Sequence, residues 1–176
     1  AYRQILKAQG LETVLIDTER HDGYQPRPDH IRGAGLDGVL VASPANPTGT
    51  MLDRPQLAGL IEAAQSEGTA FISDEIYHGI TYQREAATAL AHDGQAVVIN
   101  SFSKYFGMTG WRLGWLVAPE QAVEPLTRLA QNVFLAAPTP SQHAALAAFT
   151  PECRDILETP RAPLKQRRQV LLDGLA

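Results

Sequence analysis

The sequence predicts an α/β fold in which helices sandwich a mainly parallel sheet, and three observations support this prediction. Short apolar runs alternate with helix-like segments along the whole chain, which is the pattern of βαβ units. Gly10 and Gly68 follow the first two helix-like segments as stop signals. No internal repeat or low-complexity linker divides the 176 residues, so one domain is expected.

The hydrophobic pattern also orders the elements along the chain. Strands are expected where short apolar runs occur, at residues 12–16, 38–42, 69–73, 96–100 and 113–117. Helices are expected at the longer helix-like segments, which are residues 2–9, 55–67, 120–132, 141–149 and 161–175. The last strand directly follows Arg112 and is expected near an edge of the sheet.

Composition narrows the class of protein without identifying its function. The apolar fraction of 44% and the charged fraction of 19% are ordinary for a globular domain. A net charge of −4 and the lack of a basic face argue against a nucleic-acid partner. No apolar run reaches membrane-spanning length, and the beginning lacks a signal-peptide pattern. Cys153 is the single cysteine, so a reducing compartment, the cytoplasm, is expected.

The segment that begins at Ser101 combines a lysine and an arginine among glycines. Ser103 and Lys104 follow Ser101 closely, and Arg112 comes after Gly107 and Gly110. Lysine condenses with a carbonyl to form a Schiff base, and a guanidinium binds phosphate in bidentate fashion. Pyridoxal phosphate carries both an aldehyde and a phosphate. The alternative is a solvated basic loop that turns into a strand.

Asn46 lies in a rigid loop after the apolar run at residues 38–42. Pro47 favours an extended conformation at Asn46, which directs the amide at the carboxyl end of the predicted strand. Ligands of open α/β sheets bind at that edge. The alternative is a turn in which Asn46 bonds only to nearby backbone.

Asp74 ends the apolar run at residues 69–73, and Tyr77 follows it. If the chain turns helically there, the two side chains share a face. A carboxylate at the end of a buried strand needs a cation, such as a protonated pyridine nitrogen. The alternative is a capping aspartate beside a core tyrosine. Glu75 and His78 are expected to support their neighbours or to face solvent.

These segments, in this order, resemble the signature of the class I/II aminotransferases, the fold type I enzymes that depend on pyridoxal phosphate. The resemblance rests on residues 46–49, on Asp74 with Tyr77, and on residues 101–104 with Arg112, and it covers essentially the whole chain. It implies the large domain of that fold. It also implies an enzyme that moves an amino group from an amino acid to a 2-oxo acid.

The resemblance assigns roles to individual residues. Lys104 would form the Schiff base with pyridoxal phosphate and transfer the proton between substrate and cofactor. Asp74 would keep the pyridine nitrogen protonated, and Asn46 and Tyr77 would bond the ring's 3-oxygen.

The phosphate would be bound by Ser101 and Arg112, with Ser103 as a further candidate. No metal is implied.

The resemblance also implies parts that this chain lacks. In the family, a phosphate-binding loop and an aromatic residue that stacks on the ring lie upstream, and an arginine that binds the substrate carboxylate lies in a C-terminal small domain. Family members are about twice this length. Residues 1–176 are therefore expected to be a partial large domain, without its amino-terminal segment and small domain, and inactive in isolation.

Two other functions share these motifs. A β-lyase of the same fold would use the same cofactor residues, and a non-catalytic sensor domain would keep only the fold. Family members are homodimers whose active sites form at the subunit interface. Residues 132–139 are therefore candidates to face the partner's site, and the alternative is a loop between helices with exposed apolar side chains.

Overall fold

The computed structural model describes residues 2–175 and confirms the predicted α/β class. The helices are α1 (Tyr2–Ala8), α2 (Arg54–Ser66), α3 (Glu120–Phe134), α4 (Thr139–Ala147), α5 (Pro151–Glu158) and α6 (Arg161–Leu175). The strands are β1 (Gly38–Ala42), β2 (Ala70–Asp74), β3 (Val97–Ser101) and β4 (Gly114–Val117).

The four strands form one mixed sheet in the order β1-β2-β3-β4. β1, β2 and β3 are parallel, with Ala42 opposite Asp74 and Asp74 opposite Ile99. β4 is antiparallel to β3, with Gly114 opposite Ser101, and it lies at the sheet edge as the sequence predicts. The carboxyl ends of β1 to β3 and the beginning of β4 therefore meet at one edge of the sheet.

The strand predicted at residues 12–16 is wrong. These residues have no regular secondary structure, and Val14 and Leu15 are 61% and 59% exposed. A strand needs a hydrogen-bonded neighbour. β1 pairs with β2, and within the described part of the chain no strand pairs along its other edge. The apolar pattern is present, but the partner that would make it a strand is not.

Helix α2 builds the main core. Asp53 caps its first turn, because its carboxylate accepts the N–H of Gln56 at 2.8 Å while the Gln56 side chain accepts the N–H of Asp53 at 2.8 Å. The buried face of the helix packs with side chains of β1 and β2. This cluster includes Leu57, Leu60, Ile61, Ala64, Val39, Val41 and Phe71.

A second, smaller cluster supports the end of β3. Phe102 is 5% exposed and lies edge-on to Trp115 of β4, with 4.9 Å between ring centroids. Ala145 and Ala148 pack against it from α4 and its end, together with Phe106. This aromatic packing holds the segment that carries Lys104 against the sheet.

The helices differ from the prediction in the last third of the chain. The helix predicted at residues 141–149 begins and ends earlier, as α4, and α5 was not predicted. Thr150 caps α5 by accepting the N–H of Cys153 at 3.2 Å, and Pro151 occupies its first turn. A capping threonine followed by proline is a helix-start signal that the periodicity alone does not reveal.

Residues 135–138 connect α3 to α4, within the segment expected to face a partner. Phe134 and Leu135 are 75% and 85% exposed, and Leu135 has a left-handed φ of 65°.

None of the helices within residues 2–175 combines the length and the apolar character needed to cross a bilayer.

Candidate functional site

The predicted site residues lie at one edge of the sheet, either at the last residue of a strand or on the adjoining loops. Three loops follow the carboxyl ends of parallel strands, and a fourth segment precedes antiparallel β4. In chain order, these loops carry Asn46 after β1, Tyr77 after Asp74 of β2, Ser103 and Lys104 after Ser101 of β3, and Arg112 before β4.

Asn46 contacts Tyr77 across the gap between two of these loops. The Asn46 amide Nδ2 donates to the Tyr77 hydroxyl at 3.3 Å, so its partner is a side chain of the next loop. The loop is closed on itself by the N–H of Ala45, which donates to the Thr50 carbonyl at 2.9 Å. The peptide bonds that precede Pro44 and Pro47 are cis.

Tyr77 also contacts Lys104. The Lys104 Nζ lies 5.4 Å from the centroid of the Tyr77 ring, within the range of a cation–π contact. The expected helical turn after Asp74 is a short hydrogen-bonded turn instead. The N–H of His78 donates to the main-chain carbonyl of Glu75 at 2.9 Å, and the N–H of Ile80 donates to the main-chain carbonyl of Tyr77 at 3.1 Å.

Asp74 is a buried carboxylate whose hydrogen-bond partners are neutral. It is 6% exposed, its Oδ1 accepts the N–H of Ile76 at 3.0 Å, and its Oδ2 accepts the hydroxyl of Tyr2. The ion pairs formed within residues 2–175 do not include Asp74. A buried charge of this kind favours a nearby cation.

Tyr2 is the site neighbour that sequence reasoning missed. Burial, followed by the hydrogen bond to Asp74, raises the pKa of the Tyr2 phenol, so the hydroxyl remains a donor. The two residues are 72 positions apart, and α1 has no buried residue to indicate contact with the sheet. No local signal in the sequence could have found this pair.

Ser101 and Ser103 form one hydroxyl pair. Their Oγ atoms are 3.0 Å apart, and the Ser101 Oγ accepts the N–H of Ser103 at 3.0 Å. The Ser101 hydroxyl also lies 3.2 Å from the carbonyl of Leu113, next to Arg112. The structure therefore brings the two serines together beside the arginine segment.

Arg112 has an exposed side chain on a left-handed backbone. Its φ is 51°, and its Nη1 donates to the carbonyl of Thr109 at 3.1 Å. One guanidinium nitrogen is thus used to hold the loop, and the remaining donors of the fork can bind an anion.

A cavity of about 290 Å³ adjoins the Asn46–Tyr77 pair. Its walls include Pro47, Thr81 and Arg168, the last of these from α6. Among residues 2–175, no three histidine, cysteine, aspartate or glutamate side chains are grouped as metal ligands. The site is therefore built from an amine, a guanidinium, hydroxyls, an amide and one buried carboxylate.

Gly79 allows the loop after β2 to pass directly beneath Tyr105, the residue after Lys104. Its φ is 84°, and a Cβ added at Gly79 would meet the Tyr105 ring at 2.6 Å. The Tyr105 hydroxyl donates to Glu158 of α5 at 2.6 Å, a bond that raises the pKa of the phenol. The ring is thus held at both ends and cannot move away freely.

We expect Gly79→Ala to lower the free energy of unfolding by about 2–5 kcal/mol. A left-handed non-glycine residue costs about 1–2 kcal/mol, and overpacking adds about 1–3 kcal/mol. Gly94→Ala is the control, since an added Cβ there meets nothing within 4 Å and its φ is not positive. Urea unfolding of the full-length protein measures both, and an equal effect of the two variants would contradict the predicted clash.

The sequence and the structure of this chain are both similar to those of aminotransferases. The family model for aminotransferase class I and II matches residues 1–176. Valine–pyruvate aminotransferase of Mycobacterium tuberculosis is 42% identical over 99% of this chain, which corresponds to 46% of that protein. The (5-formylfuran-3-yl)methyl phosphate transaminase of Methanocaldococcus jannaschii is 36% identical over 97% of the chain and 45% of that protein.

Solved structures agree with the sequence relatives. An aminotransferase from Mycobacterium tuberculosis superposes with a TM-score of 0.94 at 42% identity, over 99% of this chain and 49% of that one. Aspartate aminotransferase from Thermus thermophilus with maleate gives a TM-score of 0.93 at 28% identity, over 99% and 47%. The chain thus spans about half the length of the relatives it matches.

Proposed function

Since the chain belongs to the class I and II aminotransferase family, we propose that the full-length protein is a pyridoxal-phosphate-dependent aminotransferase. It transfers an amino group from an amino acid to a 2-oxo acid. The relatives that support this proposal are named as aminotransferases, and one is named for valine and pyruvate. That amino donor and acceptor are the first pair to assay.

One observation carries the proposal: the amine of Lys104 lies at the ring of Tyr77, whose hydroxyl in turn contacts Asn46. Side chains from three loops therefore meet at Tyr77, and the buried carboxylate of Asp74 lies three residues before Tyr77 in the chain. The donor set fits pyridoxal phosphate, because an amine, ring-oxygen donors, a carboxylate and a phosphate-binding cation are the groups that this molecule requires. When bound, pyridoxal phosphate supplies an electron sink for the carbanion of the substrate.

Four residues of the chain have separate proposed roles in the reaction. Lys104 would hold pyridoxal phosphate through its Nζ, and its amine would serve as the base for the proton of the substrate carbon. Asp74 would favour a protonated pyridine nitrogen by its negative charge. Asn46 and Tyr77 would donate to the ring oxygen and orient the ring.

The proposed phosphate-binding residues lie at the end of β3 and in the loop between β3 and β4. The free guanidinium nitrogens of Arg112 and the hydroxyls of Ser101 and Ser103 are the donors, and they lie on segments joined through Leu113. By holding the phosphate, these residues would fix the orientation of the cofactor relative to the Lys104 amine.

The proposal extends to the whole protein. Residues 1–176 span about 46% of the valine–pyruvate relative, which supports a partial large domain completed by further segments. We propose a homodimer, with residues 132–139 facing the partner's site, because Phe134 and Leu135 present apolar surface there. Cys153 is the single cysteine, which fits the reducing cytoplasm.

Borohydride labelling tests the attachment site. The full-length protein loaded with pyridoxal phosphate is reduced, digested and analysed by mass spectrometry. We expect the cofactor adduct on the peptide that contains Lys104. Lys7 and Lys165 are internal controls, since they are the other two lysines of the chain. An adduct on either of these, or none within the chain, contradicts the proposal.

A further inference from the structure

Glu75 and His78, on either side of Tyr77 in the chain, belong to a polar network around the buried Glu75 carboxylate. Glu75 is 3% exposed, and its Oε1 accepts the N–H of Ala89 at 2.8 Å and the hydroxyl of Ser73 at 3.1 Å. Its Oε2 lies 3.4 Å from the Nδ1 of His78. A buried carboxylate with this set of partners is held in one orientation. The Glu75 carboxylate therefore holds the Nδ1 edge of the His78 ring in place.

His78 extends this network to the loop that carries Asn46. Its Nε2 lies 3.1 Å from the main-chain carbonyl of Ser43. A carbonyl oxygen only accepts, so this bond forms when Nε2 carries a hydrogen. The contact of Nδ1 with the Glu75 carboxylate, which is also an acceptor, needs a hydrogen on Nδ1. Ser43 is 4% exposed, and its own hydroxyl accepts the N–H of Leu52 at 2.9 Å. The His78 ring thus contacts a fixed point of the backbone three residues before Asn46.

Two further bonds connect the same two loops. The N–H of Ser43 donates to the carbonyl of Asp74 at 3.1 Å, and Asn46 donates to Tyr77 at 3.3 Å. The first of these lies at the base of the loops and the second at their tips. The His78–Ser43 bond is a third contact between the same two loops.

We propose that Glu75 and His78 are positioning residues that set Asn46 against Tyr77. Glu75 orients the imidazole, and His78 ties the Asn46 loop to the turn that carries Tyr77. Neither residue contacts the reacting atoms. The inference rests on the proposed function, in which Asn46 and Tyr77 donate to the ring oxygen of the cofactor.

A matched pair of amide substitutions tests the contact with Ser43. In His78→Gln the side-chain nitrogen reaches the place of Nε2, whereas in His78→Asn the shorter side chain reaches only the place of Nδ1. Both variants carry the same functional group at the same position. His78→Phe keeps a ring without either nitrogen, and His92→Asn, at an exposed position, is the control for the substitution itself.

The measurements use the full-length protein with and without cofactor. In the cofactor-free protein, amide hydrogen exchange of residues 43–50 should be about tenfold faster in the Asn and Phe variants, the effect of one lost hydrogen bond. In the loaded protein, their cofactor dissociation constant should rise about tenfold. The pH at which the absorbance of the bound cofactor changes should move up by about one unit.

His78→Gln and His92→Asn should leave all three quantities within about twofold or 0.3 pH unit of the unaltered protein. Equal behaviour of the Gln and Asn variants overturns the positioning role, as does unchanged exchange in His78→Phe. Absence of the Lys104 adduct in the unaltered protein overturns the proposed function instead. The hydrogen-exchange result separates the two failures, since it needs no cofactor.

Discussion

Replacing Lys104 with alanine should reduce amino transfer by at least about four orders of magnitude, because in the proposed mechanism its amine both attaches the cofactor and moves the proton. The side chain is exposed, and its recorded contact is with the Tyr77 ring. Stability should therefore change by less than about 0.5 kcal/mol. Single-turnover kinetics of the full-length protein measures the first effect, and urea unfolding measures the second.

Lys165→Ala is the matched control for this variant. Lys165 is also an exposed lysine, on α6, and it lies outside the proposed site. It should retain full amino transfer. Activity of Lys104→Ala within about tenfold of the unaltered protein would show that another group performs the proton transfer.

Asp74→Asn should slow proton abstraction from the substrate by about two orders of magnitude or more. Electrostatic groups at developing charge commonly contribute about 3 kcal/mol. The asparagine has nearly the same shape, and its carbonyl can still accept the N–H of Ile76, so the fold should be retained. Stopped-flow absorbance with a substrate deuterated at the α-carbon isolates the proton-transfer step.

Two control variants separate charge from local packing at Asp74. Tyr2→Phe removes the neutral partner of Oδ2 and leaves the carboxylate, so it should change the rate by about tenfold at most. Asp29→Asn removes an exposed carboxylate, whose side chain is 77% accessible, and should have no effect. A near-normal rate in Asp74→Asn would count decisively against the proposed role of the charge.

Local pattern was sufficient to locate most of the sheet edge. The strands ending at Asp74 and Ser101 were predicted to within one residue, because each is a continuous apolar run bounded by loop residues. Those boundaries place the predicted site residues on neighbouring loops without any knowledge of their contacts. Parallel pairing then brings the loops together, since all three strands end at the same edge.

The predictions that were wrong or missing concern residues whose structure depends on partners distant in sequence. Residues 12–16 have the composition of a strand, yet pairing decides whether such a segment becomes one. The contact of Tyr2 with Asp74 and the burial of Glu75 arise from tertiary packing, so a solvent-facing Glu75 was a wrong alternative. The pattern around these residues is the same whether or not they reach their partners.

The close approach of Gly79 to Tyr105 has a consequence for how related sequences diverge. The tyrosine ring lies against the glycine, so neither position can change freely while the other stays as it is. We expect the two positions to covary, with non-glycine residues at 79 accompanied by smaller side chains at 105. The double variant Gly79→Ala with Tyr105→Ala should accordingly be more stable than the sum of the two single variants implies. Because Tyr105 follows Lys104 directly, selection on the packing of this pair would also restrain the position of the proposed catalytic lysine.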